Sequence, residues 1–293
     1  MNYRHAYHAG NFADVLKHVT LALIIEHLKK KDAAFRIIDT HAGRGAYALD
    51  SVEALKTREW EGGIGRLLGP DAEPLPMDVE RVVAPYLEAV RAENPQQGLS
   101  TYPGSPLIAR RLMRMQDVLI ANELHPDDAV ALKAALARNR RAKVLTLDGW
   151  DTLKSLLPPR ERRGIVLIDP PFEQADEFER LADGLAAGLR RFATGVFLAW
   201  FPIKGTQPVA RFYDRLSMFA TEVLRVELRL SGSASPDDFL NGCGLIVANP
   251  PHSLERDLTI VLPELVRRLG RDSAAAFRMN TVAPRLGADA ARK

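Results

Sequence analysis

Five short apolar runs, each cut off from the next by a stretch of helical period, leave this chain few ways to fold. The runs are FRIID at 35–39, VLIANEL at 118–124, KVLTLD at 143–148, GIVLID at 164–169 and GVFLAWF at 195–201. Patterns such as DDAVALKAALARNRR, WDTLKSLL and EFERLADGLAAGLRRF lie between the later ones. Alternation of this kind predicts a parallel sheet covered on both faces, because each parallel crossover needs a helix to return the chain. Two further runs, EVLRVELRL at 222–230 and GCGLIVANP at 242–250, have no helix between them and predict an antiparallel hairpin at the end of the sheet. A helix is also expected from Asn11 to Lys31, with Asn11 as its N-cap and a basic last turn.

One interval breaks the pattern. Between Gly45 and Val118 lie 72 residues where a single helix would serve. EWEGGIGRLLG, the proline-rich PDAEPLP and the helical MDVERVVAPYLEAVRAEN predict a small helical insertion. Five alternating strands followed by a hairpin is the layout of the Rossmann-like sheet of class I S-adenosylmethionine (SAM) dependent methyltransferases. The expected organisation is therefore α/β: residues 1–45 and 102–270 as the sheet domain, 46–101 as an inserted helical subdomain, and 271–293 as a weakly patterned tail that frays.

Exclusions narrow the function. No run of 18 apolar residues and no signal-like start occur, so a soluble cytoplasmic protein with no membrane association is expected. The single cysteine, Cys243, rules out an internal disulfide and a multi-cysteine zinc site. His5, His8, His18 and His41 show no ligand spacing, so no metal is expected. The formal net charge of +3 is compatible with nucleic acid without requiring it.

The chemistry gathers at strand ends. DTHAGRG (39–45) places Gly43 and Gly45 just after the first strand, where backbone can approach a ligand. It matches D-x-x-x-G-x-G, the first motif of SAM enzymes, and equally fits a plain tight turn. Glu123 and Asp148 close the next two strands; such carboxylates accept ribose hydroxyls or an adenine amine, or are ordinary helix caps. The fourth strand ends in IDPPF (168–172). Its two prolines remove backbone donors, so Asp169, the Pro170 carbonyl and the ring of Phe172 form an acceptor cluster beside a flat apolar face. Acceptors on both hydrogens of an exocyclic adenine amine localise its lone pair, and a ring stacks on the extruded base. A second Asn-Pro-Pro, in ANPPH (248–252), lacks the ring and reads as structural. Ser105 reads as a helix N-cap before Pro106. Tyr3, Arg4, Lys17 and His18 are candidates for substrate or cofactor contact, against an amphipathic helix with a solvated polar face. RRLMR (110–114), RNRRAK (138–143) and RERR (160–163) are candidates for phosphate contacts.

In order along the chain, YRHAYHAGNFADVLKH, DTHAGRG, YPGSPLIA, NELHP, LDGWD, IDPPFE and NGCGLIVANPP resemble the RlmJ family, bacterial 23S ribosomal RNA adenine-N6 methyltransferases. The likeness runs from Tyr3 to Pro251. It implies SAM as cofactor and one adenine of 23S rRNA, naked or partly assembled, as substrate; a monomer is the default expectation. By matching motif it implies Asp169 as catalytic residue. Lys17, His18, His41, Gly43, Ser105, Glu123, Asp148 and Gly149 would lie around the cofactor, and Tyr3 would contact RNA. The family often has Tyr where this chain has Phe172. A DNA adenine methyltransferase, or a silent RNA-binding assembly factor on the same fold, would carry the same sheet.

Overall fold

The computed structural model describes residues 4–96, 98–137, 139–204, 207–219, 221–232 and 240–282. Helix α1 (Phe12–Lys29) follows β/extended Asn11, whose side-chain oxygen accepts from the amides of Ala13 and Asp14. Its residues from Phe12 to Ile25 are all buried, the mark of a helix inside the structure rather than on it. Asp14, Lys17 and His18 are therefore interior side chains; the expected solvated polar face is absent from the first turns.

The chain continues through β1 (Arg36–Asp39), β2 (Ala46–Ala48), α2 (Val52–Thr57), α3 (Gly65–Leu68), α4 (Met77–Ala92), β3 (Thr101–Pro103) and α5 (Ser105–Leu112). The alternating part follows: β4 (Val118–Asn122), α6 (Pro126–Leu136), β5 (Ala142–Leu145), α7 (Gly149–Ser155), β6 (Gly164–Ile168), α8 (Glu177–Arg191) and β7 (Val196–Pro202). Last come α9 (Gln207–Leu216), β8 (Val223–Arg229), β9 (Gly242–Ala248), α10 (Leu254–Leu269) and β10 (Ala276–Val282).

Eight strands form one sheet in the order β10-β8-β9-β7-β6-β1-β4-β5. The five from β5 to β7 are parallel, and β9 runs antiparallel to both β7 and β8. Strand order reverses between β1 and β6, so a ligand crevice opens above their carboxyl ends. Alternate residues feed two cores. Ile37, Ile165 and Leu167 face the side of α1, α4, α5 and α10, whereas Ile38, Val166 and Ile168 face the side of α7, α8 and α9.

One element differs from expectation. Residues 276–282, read as fraying tail, pair antiparallel with β8 along seven positions and form the sheet edge. The alternation in AFRMNTV is too weak to show in sequence, because this strand buries little: its pattern is mostly exposed. The inserted stretch packs into the main body, α4 sharing a core with α1. Buried Arg268 fastens it by donating to the carbonyls of Arg66 (3.1 Å), Glu73 (2.8 Å) and Pro74 (2.8 Å).

The antiparallel course of β9 also disposes of ANPPH. Asn249 lies at the opposite edge of the sheet from Asp169, and its amide donates to the carbonyls of Ala193 (2.8 Å) and Gly195 (2.7 Å).

Candidate active site

A cavity of about 670 Å³ opens above the β1–β6 crevice. Lys17, His18, His41, Gly43, Ser105, Glu123, Asp148, Gly149, Asp169, Pro170 and Phe172 all line it, though they come from six separate stretches of chain. Arg4 does not: half exposed, it lies 3.9 Å from Asp127. Tyr3 lies outside the described residues.

The turn after β1 is held by acids. Gly43 (φ +62°) and Gly45 (φ +86°) adopt left-handed conformations that favour glycine. Glu123 accepts from the Gly43 amide (2.8 Å) and the His125 amide (2.7 Å), so its carboxylate pins the glycine turn while one edge faces the cavity. Burial raises its pKa above the usual range. Asp39, not picked out from sequence, is fully buried; it accepts from Ser105 Oγ at 2.6 Å. Burial pushes it up to about 7 despite that bond. Ser105 is thus the first residue of α5 and a partner of Asp39, with Gly104 in the capping position.

Asp148 is a helix cap, accepting from the Trp150 amide at 2.7 Å, and it also faces the cavity. Gly149 beside it lets His41 pack close, since a Cβ there would stand 2.5 Å from His41 Nε2. Thr40 Oγ1 gives its proton to the Leu167 carbonyl (2.9 Å), so His41 Nδ1, 2.8 Å away, is the donor to it. That leaves Nε2 of the neutral ring as an acceptor. Trp150, missed in sequence, stands edge-on to His41 at 5.6 Å with Arg180 over its face at 5.5 Å.

Burial pushes His18 down to about 3 and His41 down to about 4, from 6.5. The unfolded chain then binds more protons than the folded one below pH 6.5, so these groups withdraw stability as pH falls from 6.5 toward 4. Asp39, raised to about 7, works in the opposite sense over the same window and offsets one of them. The Tm should drop by roughly 5 °C between about pH 6.5 and pH 4.5, and His41→Gln should flatten the slope, read by thermal melts across that range.

Asp169 follows the last residue of β6. Lys17 Nζ lies 2.5 Å from its Oδ2 and 2.8 Å from Asp14 Oδ1. Asp14 in turn accepts from His5 Nε2 and the Gly10 amide, each at 2.9 Å. Burial alone would lower the Lys17 pKa, but the two carboxylates outweigh it and raise it. Burial would likewise raise Asp14, yet the charges of His5, Lys17 and His18 hold it well below the usual carboxylate range. Lys17, expected beside a cofactor carboxylate, is thus committed to Asp14 and Asp169. The sequence signal for this chain of charges was the spacing of Asp14, Lys17 and His18, which share one helical stripe. Phe172 takes a left-handed backbone (φ +50°), and its ring stands edge-on to Phe178 (4.9 Å) and Trp200 (5.8 Å) at the cavity wall.

The basic clusters fall elsewhere. All three precede the parallel strands β4, β5 and β6, at the sheet edge opposite the cavity. Arg114 pairs with Asp117 at 3.0 Å and donates to the carbonyls of Lys31 (2.8 Å) and Ala33 (3.1 Å). Arg163 donates to Ala33 (2.8 Å) and to Leu28, and Arg110 is paired with Glu93 at 2.8 Å. Arg114 and Arg163 thus close the end of α1 and the loop after it, whereas Arg111, Arg140, Lys143, Arg160 and Arg162 are exposed. Arg138 lies outside the described residues.

Parallel strands with the order 3-2-1-4-5 in this sheet, an antiparallel strand inserted beside the fifth, and a glycine turn with acids above the switch define a class I SAM-dependent methyltransferase fold. Within that class, the family model for ribosomal RNA large subunit methyltransferase D, RlmJ, matches residues 32–281, and the chain belongs to this family. It is 42% identical over 273 residues to ribosomal RNA large subunit methyltransferase J of Escherichia coli (strain K12), covering 92% of this chain and 94% of that one. Identity to the protein of the same description from Haemophilus influenzae is 38% over 288 residues, covering 97% and 99%. A crystal structure of a protein from Legionella pneumophila str. Philadelphia 1 superposes with a TM-score of 0.86 at 32% identity, covering 94% of this chain and 98% of that one.

Proposed function

We propose that this protein transfers a methyl group from SAM to the N6 amine of one adenine in 23S ribosomal RNA. The observation that carries this reading is the position of Asp169-Pro170-Pro171-Phe172 at the carboxyl end of β6, facing the same cavity as the glycine turn, Glu123 and Asp148. The RNA comes from the relatives, both described as ribosomal RNA large subunit methyltransferases.

The residues fit the cofactor: acids end two adjacent strands above the glycine turn, and all of them face one cavity. Glu123 would accept from the ribose hydroxyls and Asp148 from the adenine amine of the cofactor, with Ser105, His18 and the acceptor Nε2 of His41 completing the wall. When bound, SAM supplies an electrophilic methyl group. On the substrate side, Asp169 and the Pro170 carbonyl accept the two hydrogens of the target amine and localise its lone pair. Lys17 Nζ holds one carboxylate oxygen of Asp169 in place, and the carboxylate takes the proton once the methylated nitrogen is cationic. The Phe172 ring gives the extruded base an apolar wall. A base so extruded must come from accessible strand, which favours naked or partly assembled RNA, and Tyr3 and Arg4 would meet that strand.

The test is methyl transfer from labelled SAM to protein-free 23S rRNA lacking the modification, with DNA alongside. Label at N6 of one rRNA adenine is the expected result. Label in DNA only would replace the substrate, and SAM binding without transfer to either would leave a silent binding protein.

A further inference from the structure

The three basic clusters lie at the end of the sheet away from the cavity, so the sugar-phosphate backbone next to a base held there has to be met by cations nearer the cavity. A base held in the pocket leaves its neighbours in sequence at the mouth, where their phosphates need cations.

A second cavity, of about 310 Å³, adjoins the first. It shares Asn11 and Leu240 with it and is otherwise lined in part by Glu59, Arg66, Leu230 and Arg271. Arg66 and Arg271 are exposed, and neither forms an ion pair among the described residues. Both rest on fixed backbone. The Arg66 carbonyl accepts from buried Arg268 at 3.1 Å, and the Arg271 amide donates to the Leu230 carbonyl at 2.7 Å. Glu59, the acid in this cavity, already accepts from His8 Nδ1 and Asn11 Nδ2, each at 2.9 Å. Burial would raise its pKa, but His8, Asn11 and Arg271 together lower it. Two guanidiniums against this one carboxylate leave the mouth net positive, and a guanidinium is the group best shaped to meet phosphate.

We propose that this second cavity holds the backbone of the RNA strand flanking the target adenine, with Arg66 and Arg271 each meeting a phosphate. The inference rests on the methyl-transfer reading for its substrate and adds where that substrate lies.

The test compares the full chain with Arg66→Ala/Arg271→Ala and, as a control at the far edge, Arg140→Ala/Arg160→Ala. Binding of a 23S rRNA transcript is followed by filter retention across a salt series, and KM for the transcript is measured in the transfer assay. Loss of two phosphate contacts should reduce the slope of log K against log salt by about 1.5 and raise KM about tenfold, while the far-edge pair changes neither. SAM affinity, read by calorimetry, should stay that of the parent chain. An unchanged slope and KM would overturn the inference, as would an equal effect of the far-edge pair. Arginine-dependent RNA binding by a parent chain that transfers no methyl would sink the catalytic reading and leave this one standing. Transfer without that dependence would do the reverse, and a parent chain that binds no RNA would remove both.

Discussion

Replacing Asp169 by Ala should lower the rate of methyl transfer at saturating substrates by about 10³-fold or more, while SAM still binds within about threefold of the parent affinity. In the proposed mechanism the carboxylate is the acceptor on the target amine and the later sink for its proton, so both jobs vanish together. Nothing in the cofactor wall hangs on it: Glu123, Asp148, His41 and Ser105 find their partners in Gly43, Trp150, Thr40 and Asp39. Asp169→Asn is the sharper probe. Its amide has one acceptor and one donor end, and Lys17 Nζ stands 2.5 Å from Oδ2, where only an acceptor is tolerated. The amide oxygen will turn to Lys17 and present NH₂ to the adenine amine, a donor facing a donor. Asn should therefore be as inactive as Ala although it is nearly isosteric. Transfer by the Asn variant within tenfold of the parent would show that the second acceptor, the Pro170 carbonyl, suffices, and the role given to Asp169 would be wrong.

Much of this was readable from the sequence because a parallel sheet writes itself as apolar runs with acids at their ends. Glu123, Asp148 and Asp169 each stand at or just past a strand terminus, and the fold brings these termini to one edge. What stayed hidden depends on burial. Asp14 looks like any charged residue, and the pairing of Lys17 with it and with Asp169 does not show, until the packing around α1 removes their water. The arginine clusters divide in a way sequence does not show: before strands β4 to β6 a run of cations looks like one binding face, yet the carbonyls ending α1 and the carboxylate of Asp117 take up Arg114 and Arg163. Composition gives the cations; only direction along the sheet tells which edge they serve. β10 was missed because an edge strand that buries little has no hydrophobic alternation to show.

The buried charge chain makes Lys17 the residue whose loss should be felt twice. Lys17 is 4% exposed, and its partners Asp14 and Asp169 are 1% and 18% exposed, so Lys17→Met would leave two carboxylates facing each other across a dry gap. Breaking a buried pair from one side costs about 3–5 kcal/mol, because the stranded charge keeps its desolvation penalty. For a chain of this size that is a fall in Tm of roughly 10 °C, with transfer reduced about 100-fold as Asp169 loses its aim. Stability and catalysis separate in the double variant. Asp14→Asn/Lys17→Met removes the carboxylate that suffers most from the lost cation, and should recover about half of the Tm drop. It restores nothing at Asp169, which faces the amine with no cation behind it, so activity should stay at the level of the single variant. Melting curves and single-turnover transfer on the same three proteins give both readings. Recovery of activity along with Tm would mean that Lys17 merely props the fold. Activity still depressed after stability returns would mean that it holds the carboxylate that holds the base.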